Sequence, residues 1–366
     1  MKKKKILIVD DMPENISVLV ETLKDDYTII ATTFGKKALQ LASLDPIPDL
    51  ILLDIKMPDM DGYEVLKKLK ANKKTRHIAV TFITAMNNDE IEEVGLELGE
   101  VDYICKPFNP RLVKTRVHNH LELKYYRDHL EEIVSKRTEE IVHLRDALLG
   151  SMGSIAEYRD PGTGGHIKRT QHYIKLIAET MKDRSSFKGY FDKQTIDILF
   201  KVAPLHDIGK VGLPDHILLK TGKLTDGEFT EMKKHVHYGT TVIRNIESTV
   251  GKEPLSHMAM QIIDGHHEKW DGSGYPRGLS GDQIPIPGRL MAIADAYDAL
   301  ISKRFYKPPM PHPHAMQIIK EGRGTHFDPD ITDVFLGQQN QVKQVAMKFA
   351  DLNKEQEMLS FNINKL

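Results

Sequence analysis

The sequence predicts a chain in two parts: an α/β domain built on a doubly wound, five-stranded parallel sheet, then a long connecting helix and an all-α domain. Three observations carry this. Short apolar runs alternate with helix-like stretches through the first 110 residues, the signature of a parallel sheet covered on both faces. From Asn109 to about Gly150 there is no internal Gly, and no Pro beyond Pro110. Past Ser151 strand signals largely vanish, and helical patterns separated by Gly/Pro loops continue to about residue 345.

The predicted strands are Lys5–Val9, Tyr27–Ala31, Leu50–Leu53, Ile78–Ile83 and Val101–Cys105, each an apolar run short enough for a buried strand. Between them, Asn15–Lys24, Lys36–Ser43, Tyr63–Ala71 and Asp89–Leu98 read as helices. In the long helix, Leu123, Leu130, Val134, Ile141, Leu144 and Leu148 fall on a 4-3 spacing that also takes in Arg127 and Arg137. Such a stripe predicts a coiled-coil seam and a homodimer, weakened by the two arginines. The expected domains are residues 1–122, a helical linker 123–150, a helical domain 151–345 and a polar tail 346–366.

The bulk numbers exclude more than they suggest. A net charge of -1 over 366 residues gives no electrostatic footprint for DNA. The lysines at the start precede an apolar run, Ile6 to Val9, too short for a leader and ended by Asp10 and Asp11. No stretch approaches the roughly 20 apolar residues of a membrane helix. Cys105 is the one cysteine, so no internal disulfide or thiolate metal site is available. These features predict a cytoplasmic protein with no membrane contact. The 17 histidines are the unusual feature, and most lie after position 165.

In an open parallel sheet, ligands gather beyond the carboxyl ends of the strands. There this sequence places Asp10 and Asp11 after the first strand, Asp54 after the third, Thr84 after the fourth and Lys106 after the fifth. Oxygen ligands of this kind suit Mg²⁺, and a carboxylate beside such an ion can attack a phosphoryl donor. The strings ILIVDDMPEN, LILLDIKMPDMDGYEVL, FITA and VDYICKPF resemble the response-regulator receiver family over about 120 residues. The resemblance implies that Asp54 accepts a phosphoryl group from a cognate histidine kinase. It also implies that Asp10, Asp11 and the Lys56 carbonyl hold Mg²⁺, that Thr84 and Lys106 contact the phosphoryl group, and that Tyr103 moves on activation. Glu100 departs from the family, which usually has Ala there.

The second half concentrates His and Asp: His166, the adjacent His206–Asp207, His235, the adjacent His266–His267, and Asp295. Imidazole and carboxylate without thiolate suit Fe, Mn, Zn, Ni or Co. An adjacent His–Asp pair lets Asp207 bridge two ions, and two ions can activate water and clamp a phosphodiester. Lys210 follows His206 by one turn if the segment is helical, where its ammonium could neutralise a phosphate oxygen. His216, His257, His312 and His314 fit no such arrangement and are expected to be solvated; His237 is also left out.

The strings LHDIGKVGLPDHILLKTGKLT, MKKHVHYG, DGHHEKWDGSGYP and IADAYDALISKRFYK resemble the HD-GYP family of cyclic di-GMP phosphodiesterases, from about Glu157 to Pro329. The resemblance implies one ion on His166, His206, Asp207 and Asp295, and a second on Asp207, His235, His266 and His267, with iron or manganese foremost. It implies that Lys210 contacts the scissile phosphate and that Tyr275, Arg304 and Lys307 contact the dinucleotide. Two departures stand out. Gly162 replaces a frequent Glu, which argues against a third ion, and Phe305 replaces a frequent Pro. The function expected is phosphorylation-controlled hydrolysis of cyclic di-GMP to pGpG, with GMP as a second-stage product. The alternative is a non-catalytic module that binds cyclic di-GMP or a partner protein.

Overall fold

The computed structural model describes residues 3–85, 102–159, 165–184, 187–302 and 309–350, with Gln356 and Leu359. The expected helix Asp89–Leu98, Glu100, Gly162, Arg304, Phe305 and Lys307 lie outside the described residues. The chain divides into two compact units, Met1–Glu139 and Glu140–Leu366.

The first unit is a parallel sheet of β1 (Lys5–Val9), β2 (Thr28–Thr32), β3 (Leu50–Asp54), β4 (Ala79–Thr84) and β5 (Asp102–Cys105). Their order is β2-β1-β3-β4-β5. The sequence places β2 one residue early and stops β3 and β4 one residue short of Asp54 and Thr84. Both polar residues pair within the ladder, Asp54 opposite Ile83 and Thr84 opposite Cys105, because backbone bonding continues past the apolar run. Every residue of β1 and β3 is buried, as continuous Val/Ile/Leu runs in a doubly covered sheet require. Alternate side chains build two cores: Leu7, Val9, Ile51 and Leu53 on one face, Ile6, Ile8, Leu50 and Leu52 on the other. Helices α1 (Pro13–Leu23), α2 (Gly35–Ala42) and α3 (Gly62–Ala71) connect the strands.

Helix α4 (Pro110–Tyr158) spans 49 residues and crosses the boundary between the units. Asn109 Oδ1 accepts from the Arg111 and Leu112 amides at 3.0 and 3.3 Å, and Pro110 occupies the first turn, where its missing N–H costs nothing. Val113, Val117 and Leu121 are buried in the first unit. Leu123, Leu130, Val134, Ile141, Leu144 and Leu148 are all exposed. Leu149 and Ala156 join the core of the second unit. The helix therefore runs past Gly150, where the sequence reading ended it.

The second unit is helical: α5 (His166–Met181), α6 (Lys193–Val202), α7 (Asp215–Leu218), α8 (Asp226–Val250), α9 (Pro254–Gly265), α10 (Ile286–Ile301), α11 (His312–Glu321), α12 (Pro329–Gly337) and α13 (Gln339–Lys348). Two 3₁₀ segments, Ala203–Leu205 and Ile208–Gly212, separate α6 from α7. One core joins α5, α6, α9 and α10, with Tyr173, Tyr297 and Phe335 meeting edge to face at its centre. That core does not end at residue 345, since Ala346 and Leu359 are buried in it.

Candidate active sites

At the carboxyl end of the sheet, Asp10 and Asp54 are buried and Asp11 is half-buried, and one oxygen of each lies within 4.8 Å of the others. Lys106 Nζ sits 2.9 Å from Asp10 Oδ2 and 2.9 Å from Asp54 Oδ2. The other oxygen of Asp10 accepts from the Met12 amide (3.0 Å) and Asn15 Nδ2 (2.9 Å), which fixes its rotamer. Burial pushes the Asp54 carboxyl up; the Lys106 hydrogen bond works against this, and the Asp10 charge adds to it. Three carboxylates against one ammonium leave local negative charge, so the donor set fits a small hard cation. Thr84 ends β4, and its carbonyl accepts from the Lys106 amide at 2.8 Å. Lys56 lies two residues beyond Asp54 with its side chain exposed. Tyr103 is half-buried, its ring stacked on Phe82 at 6.0 Å.

In the second unit, six elements bring the His/Asp residues together. His166 is the first residue of α5. His206 and Asp207 lie between the two 3₁₀ segments, His235 lies in α8, His266 and His267 follow α9, and Asp295 lies in α10. They form two groups of converging ligand atoms: His166, His206 and Asp295; and Asp207, His235, His266 and His267. Asp207 faces both. Its Oδ2 is 3.3 Å from His206 Nε2, and its Oδ1 is 3.5 Å from His235 Nε2 and 3.7 Å from His266 Nε2. On the other side, His166 Nε2 is 3.7 Å from Asp295 Oδ1. Gly209 makes this possible. A Cβ there would lie 1.8 Å from the His235 carbonyl oxygen, so only glycine lets the segment after Asp207 touch α8.

The hydrogen bonds behind the cluster set which nitrogen each ring presents. His206 Nδ1 meets the Ala203 carbonyl (3.0 Å), His235 Nδ1 that of Met232 (2.8 Å), and His266 Nδ1 that of Ile263 (2.9 Å). His166 Nδ1 meets Asp298 Oδ2 at 2.8 Å. A ring donating from Nδ1 turns an Nε2 lone pair inward. His166 Nε2 and His206 Nε2 then face each other at 3.3 Å, a contact that needs either a proton or a metal ion between the two nitrogens. Among the described residues, Asp207 Oδ1, His235 Nε2 and His266 Nε2 have no hydrogen-bond partner, and all three are buried. Buried polar atoms without partners are costly, and here they point at one another, as ligands for metal ions would.

Charge follows the same division. Burial opposes protonation of His206, but the Asp207 carboxylate outweighs it and raises the imidazole to about 8. Burial lowers His235 to about 4 and holds His267 well below its usual range. Burial alone would raise Asp207, yet the Lys210 ammonium and His206 hold its carboxyl well below the carboxylate range. Lys210 Nζ lies 2.7 Å from Asp207 Oδ2. It stands on a 3₁₀ turn, which places it near Asp207 at i+3; the helical turn after His206 assumed in the sequence reading is not formed. Tyr275 is half-buried, with its ring stacked on His267 at 4.7 Å and 28°.

Three residues that sequence reasoning passed over complete the site. Asp298 is fully buried and accepts from Arg169 Nε (2.7 Å) and Nη2 (3.0 Å) as well as meeting His166. Burial would raise its carboxyl, but Arg169 and His166 hold it near about 2. Arg169 stands three residues after His166, and Asp298 three after Asp295, so i,i+3 spacing from each ligand was the available signal. Glu268 is buried next to His267 and accepts from the Arg277 amide (2.8 Å) and the Leu279 amide (3.0 Å), pinning the loop that carries Tyr275. His312, expected to be solvated, is buried, and its Nδ1 lies 2.7 Å from the Tyr297 hydroxyl; His216, His257 and His314 are exposed. Arg304 and Lys307 lie outside the described residues.

Comparison with known proteins gives two domain matches: a response regulator receiver domain over residues 6–118 and an HD domain over residues 152–331. A Vibrio cholerae serotype O1 protein named "Probable cyclic di-GMP phosphodiesterase" is 49% identical over 354 residues, covering 94% of this chain and 80% of the relative. A Thermotoga maritima protein named cyclic di-GMP phosphodiesterase is 34% identical, covering 94% and 93%. The Xanthomonas campestris protein named cyclic di-GMP phosphodiesterase response regulator RpfG is 33% identical, covering 82% and 78%. No described helix is long and apolar enough to cross a membrane.

Proposed function

Because this chain belongs to the family in which a response regulator receiver domain is fused to an HD domain of the cyclic di-GMP phosphodiesterase kind, we propose that it hydrolyses cyclic di-GMP to pGpG under control of phosphorylation at Asp54. The observation that carries the catalytic reading is Asp207, with one oxygen turned to His206 and the other to His235 and His266. A module that only binds a ligand has no use for such a bridge.

The residues divide the work. His166, His206, Asp207 and Asp295 would hold one divalent ion, and Asp207, His235, His266 and His267 the other; iron or manganese suits this donor set, with nickel, cobalt and zinc as alternatives. Bound there, the pair would supply an activated water and charge compensation for the phosphodiester. The backbone carbonyls on the Nδ1 atoms and Asp298 keep the imidazoles oriented. Lys210, beside Asp207, is placed to take up charge on a phosphate oxygen. Tyr275 offers a ring face beside His267, and Arg304 and Lys307, by the family resemblance alone, would contact the dinucleotide.

In the receiver, Asp54 takes the phosphoryl group from a cognate histidine kinase. Asp10, Asp11 and the Lys56 carbonyl would hold Mg²⁺, Thr84 and Lys106 would contact the phosphoryl oxygens, and Tyr103 would change position. The exposed α4 stripe from Leu123 to Leu148 would form a homodimer. Incubating metal-loaded protein with cyclic di-GMP and other cyclic dinucleotides, and separating the products by chromatography, tests the reading. Formation of pGpG is expected; binding without turnover would support the non-catalytic alternative.

A further inference from the structure

We propose that the first turns of α8 carry a second substrate subsite, in which Lys233 contacts the phosphodiester that is not being cleaved and the Phe229 ring stacks on one guanine. This rests on cyclic di-GMP being the substrate.

Phe229 and Lys233 are one turn apart on α8, so they share a face, and His235 of the metal cluster follows two residues later. Lys233 Nζ lies 4.7 Å from the Phe229 ring centre and 5.2 Å from that of Tyr275. Both are within cation–π range. Tyr275 is in turn stacked on His267, and Phe229 meets Tyr275 edge to face at 6.1 Å. A continuous run therefore leads from the metal cluster through Tyr275 to an ammonium and an exposed ring.

The neighbouring lysines are committed to carboxylates: Lys210 to Asp207 (2.7 Å), Lys220 to Glu228 (2.5 Å) and Lys234 to Glu231 (2.6 Å). Among the described residues, no carboxylate lies within ion-pair distance of Lys233. Instead it is half-buried over two rings. Cyclic di-GMP sets the matching demand. When one phosphodiester is held at the metal cluster, the second carries a full charge away from it, and each guanine presents a flat face. An ammonium beside an aromatic ring answers both needs.

The test compares two substrates in the full-length, metal-loaded protein: cyclic di-GMP, and bis(4-nitrophenyl) phosphate, which has one phosphodiester and no purine. Lys233→Met should raise KM for cyclic di-GMP about tenfold, the worth of one charge-assisted contact, with kcat changed less. Phe229→Leu should raise it by a similar factor. Both should lose several-fold less on the simple diester, and Lys233→Arg should recover most of the loss. Metal content and thermal unfolding of each variant, matched to wild type, separate a lost contact from a lost fold. Lys234→Met is the control outside the subsite. Equal losses on the two substrates, or an unchanged KM for cyclic di-GMP in Lys233→Met, would overturn the subsite while leaving the phosphodiesterase reading intact. A wild type that cleaves the simple diester but not cyclic di-GMP would overturn both.

Discussion

At the scale of single residues, Asp207 stands between the two groups of candidate ligands. Its two oxygens face different imidazole sets, and Lys210 stands over one of them. Asp207→Ala should therefore lose metal and turnover together, with activity falling by at least about a thousandfold, since the proposed ions would supply both nucleophile and charge compensation. Elemental analysis alongside turnover checks this; two ions per chain with normal turnover would place the bridge elsewhere. His237, exposed on α8 two residues after His235, should be nearly silent as His237→Ala. The members of the cluster were legible because adjacent pairs such as His206–Asp207 and His266–His267 are costly to bury without a cation. Asp298, Arg169 and Glu268 were not, because each acts through a partner brought close only by the fold: Asp298 lies 132 residues from His166, which it orients. A lone His in sequence says equally little, and His312 shows it by bonding Tyr297 in the core.

Among the elements, α4 links to the sheet through its own polar side chains. Arg116 Nη1 and His120 Nε2 both meet the carboxylate of Asp102, the first residue of β5, the His120 contact at 2.8 Å. Burial would raise Asp102, but His120 and Arg116 outweigh it and hold the carboxyl at about 2. An unfolded Asp titrates near about 3.9. The folded value is the lower one, so the link's stabilisation is complete above that unfolded value and is lost as pH falls through about 2. Asp102→Asn should speed hydrogen exchange in β5 and the first turns of α4 at neutral pH, by an amount on the order of 1 kcal/mol after solvent screening. The difference between variant and wild type should vanish near the acid limit; a difference that persists there would mean the ion pair is not its source. The helix itself was legible from its spacing. Its end was not, because Gly150 read as a stop. The later Gly153 has a packing reason: a Cβ there would lie 2.6 Å from Pro204 Cβ.

Over the whole molecule, the question is how chemistry at Asp54 reaches the HD domain. Lys106 is shared at 2.9 Å between Asp10 and Asp54, so it neutralises neither acid fully. Phosphorylation at Asp54 would convert its carboxylate into an acyl phosphate whose charge lies further out, and Lys106 and Thr84 would have to follow it. Such a shift biases a two-state equilibrium, and couplings of this kind typically change a linked affinity by about 5–150-fold. The residues that the fold gathers into the two clusters were legible in the sequence, as was the α/β-then-α order of elements, because strand-end acids and His–Asp pairs are local patterns. The sign of control was not, because it depends on which state the HD domain favours, a difference of a few kcal/mol spread over many contacts. The prediction is accordingly one of dependence rather than direction. With acetyl phosphate and Mg²⁺, the wild type should gain a labile phosphoryl mass, and its turnover of cyclic di-GMP should change by at least about fivefold. Asp54→Asn should show neither effect while keeping its metal content and basal rate, since Asp54 lies outside the HD domain match. Labelling that survives in Asp54→Asn would move the acceptor elsewhere. A wild type that is fully labelled yet unchanged in rate would mean the receiver acts on something other than catalysis, with partner exchange along the exposed stripe of α4 the next quantity to measure.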